Sequence, residues 1–127
     1  MNMPVSRLMI SEPVSIHTEP IQLLQSNLGQ QASQDIIERA IVEVAGRIGV
    51  IEQSQHLGDF EKLRKTARGL SAISEQLGLR VLAKVAQDAV ICAGRQDQNA
   101  LAAVIQRLIR VGDGSLAATI DGAVPPV

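Results

Sequence analysis

The chain has 127 residues, 46% of them hydrophobic and only 1% aromatic, with a formal net charge of −1. That length suits one domain. A near-neutral balance excludes a global electrostatic pull toward nucleic acid or anionic membrane. With neither Trp nor Tyr, the core must be built from Leu, Ile, Val and Ala, side chains that interdigitate well between helices.

Residues 1–18 contain Pro4 and Pro13 among scattered apolar positions and read as an irregular arm. The stretch has no long apolar region, so no secretory signal is expected. No apolar run approaches the ~18 residues of a membrane span. Thr18 is placed to cap a first short helix, with Pro20 at its opening and Gly29 at its end. A second helix is expected from about Ser33, with Asp35 in its first turn. Ile36, Ile37, Ala40, Ile41, Val44, Ala45, Ile48 and Ile51 recur at steps of three and four, an apolar stripe about 20 residues long. Gly46 and Gly49 within it are weak points or close-packing positions, and 55–58 reads as a connection.

Asp59 opens the next helix. Phe60, Leu63, Ala67, Leu70, Ser74 and Leu77 form its inward row, and Glu61, Arg64, Lys65, Arg68, Ala72 and Glu75 its outward face, with Gly78 ending it. From Leu79 to about Gly94, Val81, Leu82, Val85, Ala89 and Cys92 turn inward. Asp97 caps a last helix with Leu101, Val104, Ile105, Leu108 and Ile109 on its stripe. The G-D-G at 112–114 is expected to break or fray it, with a further turn over 115–121 and a disordered tail over 121–127. The whole reads as an all-α, antiparallel up-and-down four-helix bundle over 19–120, with a short extra helix leading it.

Cys92 is the single cysteine, so no intrachain disulfide can form. It reads as a small hydrophobe, and a lone thiol fits a cytoplasmic setting. His17 and His56 stand apart from any cysteine or carboxylate at ligand spacing, so no metal or other cofactor is expected. No phosphate loop, dinucleotide fingerprint, nucleophile elbow or zinc-protease motif occurs. Nucleic-acid binding lacks an aromatic platform.

The stretch D-F-E-K-L-R-K-T-A-R-G-L-S-A-I-S-E-Q-L-G-L-R-V-L, from Asp59 to Leu82, resembles the central helical pair of histidine phosphotransfer (HPt) domains. These read roughly D-x-x-x-L-x-x-x-A-H-x-L-K-G-x-A, followed by a Gly-led turn. Asp59, Leu63, Ala67, Leu70, Gly78 and Leu82 fall on the pattern, and the resemblance extends over about 20–112. It implies a phosphorelay module that meets the receiver domain of a response regulator. Arg68 stands where the family carries its phosphoacceptor histidine, Ser71 where it often has Lys, and Ala72 where it prefers Gly.

A guanidinium stays protonated and offers no lone pair, so conventional phosphoryl transfer is not expected at Arg68. Receiver domains of that type carry an acidic, metal-binding pocket around their aspartate, and Arg68 could enter it with bidentate contacts. Gly69 would leave the surface bare beside it, and Arg64, Lys65, Arg80 and Lys84 would extend a positive patch that also takes in Ser71, Ala72 and Glu75. A plain solvated Arg68, ion-paired to Glu61 or Glu75, is the competing reading of that residue. For the chain as a whole the alternative is a helical interaction or dimerisation module, with Val14, Ile16 and 116–120 as the spare apolar surface. A monomer or weak dimer is expected.

Overall fold

A computed structural model describes residues 29–123, so the arm and the short leading helix lie outside the described residues. Within them are four helices: α1 (Gln30–Leu57), α2 (Phe60–Gln76), α3 (Arg80–Arg95) and α4 (Gln98–Ala123). Each packs on its neighbours in sequence, and α4 returns to α1. The result is the antiparallel, up-and-down bundle expected.

The inward rows make the core. Along α1, Ile37, Val44 and Ile51 are fully buried at seven-residue intervals, with Ala40 and Ile48 packed between them. Along α2 the buried row is Leu63, Ala67, Leu70 and Ser74, continued by Leu77. On α3, Leu82, Val85, Ala86, Ala89 and Ala93 face inward, and on α4, Leu101, Ile105, Leu108 and Val111 do so. The alanines let α2 and α3 approach closely. Phe60 and Cys92 are half-buried at the margin of this cluster.

Three tight turns set the antiparallel order, and they share one geometry. Gly58 (φ +70°), Gly78 (φ +78°) and Gln96 (φ +55°) each adopt the left-handed conformation after a helix. The next residue's N–H then reaches back to an orphan carbonyl: Asp59 to Ser54 at 2.9 Å, Leu79 to Ser74 at 2.8 Å, Asp97 to Cys92 at 3.2 Å. Asp59 and Asp97 then cap α2 and α4, accepting the N–H of Lys62 and Ala100 at 3.1 Å each. Gln96 alone does this without glycine's freedom. Gln96→Gly is therefore expected to raise stability by up to about 1 kcal/mol, read as a shifted urea midpoint with an unchanged slope.

Several boundaries differ from the sequence expectation. α1 starts at Gln30, not Ser33, because Gly29 (φ +83°) breaks the chain there and Ser33 N–H already donates to Gly29 O at 3.1 Å. Asp35 thus lies beyond the first turn. The connection expected at 55–58 is mostly helix, with His56 in the last turn of α1.

The largest correction concerns 112–114, where α4 does not break and instead runs on to Ala123, three residues into the expected tail. A helical glycine costs about 1 kcal/mol against alanine. Here Val111, Ser115 and Thr119 prolong the buried stripe past it. A Cβ on Gly112 would lie 2.6 Å from Ile48 Cδ1 and 3.9 Å from Leu82 Cδ1, so the missing side chain is what lets α1 seat against α4. Gly46 and Gly49 have no such neighbour and are exposed.

Candidate functional site

α2 and α3 are registered by two observations. Ser71 Oγ donates to the Ala83 carbonyl at 3.0 Å. Arg64 Cδ lies 4.0 Å from where a Cβ on Gly94 would stand. With 71 opposite 83 and 64 near 94, Arg68 falls opposite the 87–91 stretch of α3, midway along the pair.

Helical geometry sends 61, 65, 68 and 72 away from the Leu63–Ala67–Leu70 row, and Glu61, Lys65, Arg68 and Ala72 are all exposed. Glu75 on α2, and Arg80 and Lys84 on α3, are exposed as well. Arg64, Lys65 and Arg68 thus lie with Glu61 and Glu75 on the outward side of α2, and Arg80 and Lys84 are exposed on the neighbouring α3. This lies within a chain whose formal net charge is −1.

The pairing within the face differs from the simplest expectation. Glu61 is taken by Arg64, at 3.0 Å from Nη2 to Oε1, not by Arg68. Arg68 makes no hydrogen bond or ion pair among the described residues. The Arg64 hydrogen bond and charge lower the pKa of the Glu61 carboxyl from its ordinary value, against an opposing effect of desolvation and with lesser help from Lys65 and Arg68. A folded-state pKa below the unfolded one adds stability above the unfolded pKa and loses it as pH falls through the folded one. Arg64→Ala is expected to move the Glu61 midpoint upward in a carboxyl-detected NMR titration.

Two of the residues assigned to the face from sequence look elsewhere. Ser71 is turned toward α3 by its bond to Ala83. Gly69, expected to leave bare surface, is roofed by Arg47 of α1, whose Cζ would lie 2.8 Å from a Cβ there. Arg47 Nη1 also donates to the Thr66 carbonyl at 3.5 Å, and its Nη2 pairs with Glu43 at 2.9 Å. Sequence reasoning did not single out Arg47. The signals were the Glu43–Arg47 spacing and a glycine in mid-helix, which often marks a close approach.

His56 is exposed at the end of α1, lining a shallow cleft with Gln55, Phe60, Gln98 and Asn99. It does not share the Arg68 face. Among the described residues no cluster of His, Cys, Asp or Glu could hold a metal ion, and no helix is long and apolar enough to cross a membrane. Of the spare apolar surface expected at 116–120, Leu116 is half-buried against the core and Thr119 is buried. Val14, Ile16 and His17 lie outside the described residues. No protein-family model matches this sequence, and neither does a curated protein or a solved structure.

Proposed function

We propose that this chain is an HPt-like module of two-component phosphorelay signalling that binds the receiver domain of a response regulator without conventional phosphoryl transfer. The observation that supports this reading most is the state of Arg68. It is exposed at mid-helix beside further cations, it makes no hydrogen bond or ion pair among the described residues, and small Ala72 stands one turn on, leaving room for approach. A guanidinium presented in this way suits an acidic pocket and bidentate carboxylate contacts. It does not suit nucleophilic attack on a phosphoryl group, since it has no lone pair to offer.

The contact area available on two short helices is modest, so the complex should be transient and governed by charge. Arg64, Lys65, Arg80 and Lys84 would steer the encounter and Arg68 would anchor it.

The test is incubation with a panel of phosphorylated receivers from the same organism, following label transfer and complex formation together. Complex formation without label transfer is expected. Label on this chain would refute the loss of transfer and direct attention to His56. Absence of any complex would refute the receiver-binding reading, and a concentration-dependent mass in light scattering would then point to self-association.

A further inference from the structure

We propose that the cleft between the end of α1 and the start of α4 docks an uncharged peptide segment, which lays one apolar side chain against Leu57 and Phe60. None of these residues belongs to the Arg68 face, so the two surfaces are independent.

The cleft opens where the last turn of α1, the first residue of α2 and the first turns of α4 meet. It offers about 700 Å³, within the range of about 300–1,000 Å³ usual for ligand sites. Its polar lining is Gln55, His56, Gln98, Asn99 and Gln106. No Asp, Glu, Lys or Arg lines it among the described residues, in a chain that is 20% charged. A charged group entering would give up water and meet no opposite charge in return. The lining therefore favours a neutral occupant.

Each of the four carboxamides holds one acceptor oxygen and two N–H donors, and a neutral imidazole holds one of each. These five side chains make no hydrogen bond among the described residues, so their donors and acceptors are open to a ligand. Peptide backbone presents the matching mixture, one N–H and one C=O per residue. Asn99 and Gln106 stand seven residues apart and so on one side of α4. The ~10 Å between them spans about three extended residues. Leu57 decides the class of ligand. It is 74% exposed, a large apolar side chain left out of the bundle, and Phe60, the only aromatic residue of the chain, lines the same cleft half-buried. An apolar side chain laid there would take that surface out of water. A sugar would match the amides, but a branched aliphatic side chain gives it no flat ring to stack on.

The experiment is an amide-detected NMR titration of the full chain with acetylated, amidated Ser-Gln-Leu-Gln-Ser. Shifts confined to the amides of 55–60 and 98–106 are expected, with a dissociation constant of about a millimolar or tighter. Leu57→Ala should weaken binding roughly fivefold or more without moving the urea midpoint, and alanine in place of the peptide's leucine should do the same. Val42→Ala, exposed elsewhere on α1, should bind as the parent does. Peptides with glutamate or lysine in place of both glutamines should bind more weakly. No shift at these amides up to about 10 mM peptide would overturn the site. Equal binding of the charged peptides would overturn the selection for neutrality, and unchanged affinity in Leu57→Ala would overturn the apolar contact. Shifts with maltotriose in place of the peptide would reassign the cleft to a sugar. Shifts of the same amides on concentrating the chain alone would reassign it to a second copy.

Discussion

Leu82→Ala is expected to lower the stability of the bundle by about 2–5 kcal/mol, a large share of the ~5–15 kcal/mol typical of a whole domain. Leu82 is fully buried on α3, and its Cδ1 points at the backbone of Gly112 on α4, where Ile48 of α1 also arrives. Three helices thus meet around one side chain, with glycine on the far side. No long side chain at 112 can swing in to fill the space, so the cavity term should be felt in full. Val42→Ala provides the comparison: Val42 is 71% exposed, and its loss should stay within about 0.5 kcal/mol. Urea unfolding followed by circular dichroism reads both. A loss below about 1 kcal/mol for Leu82→Ala would show that the bundle is packed more loosely at this level than the structure describes.

Arg68→Glu is expected to weaken receiver binding by about 2–5 kcal/mol, roughly 30-fold or more, with an unchanged urea midpoint. The side chain is exposed and makes no hydrogen bond or ion pair among the described residues, so its loss is expected to change stability by no more than about 0.5 kcal/mol. Reversal of its sign would set a carboxylate against the acidic pocket it is proposed to enter, and like charges facing each other in a contact are repelled. Unchanged binding by Arg68→Glu would mean that the guanidinium does not enter the pocket. A lowered urea midpoint would mean that Arg68 supports the bundle itself.

Most of the interior was legible because helical periodicity decides it, though Ile36 and Ala45, expected on the inward stripe of α1, are exposed. Leu63, Ala67, Leu70, Ser74 and Leu77 are buried as their spacing requires, and the Asp59 and Asp97 caps were visible as short acceptors just ahead of apolar rows. Glycine was harder to read, since its local preference and its packing value point in opposite directions. Gly112 reads locally as a breaker, yet Ile48, far away in sequence, needs the space. Gly69 reads as bare surface, yet Arg47 lies over it. The exposed cations could be assigned to a face from periodicity, but not their pairing: at spacings of three and seven both Arg64 and Arg68 lie on Glu61's side of the helix, and only the structure shows that Arg64 takes it.

The short turns also govern how quickly and in what order the chain can assemble. Nearly all the packing joins segments adjacent along the chain, and α1 against α4 is the one principal contact that must close a loop spanning most of the described residues. Local topologies of this sort fold on the microsecond-to-millisecond scale. The three hairpins close through only two or three residues each, so each has little loop entropy to overcome. Docking of α1 onto α4, which must close the longest loop, is expected to come late. Changes at Ile48 or Gly112 should consequently speed unfolding more than they slow folding, so the long seam between the outer helices sets how long the native bundle lasts once formed.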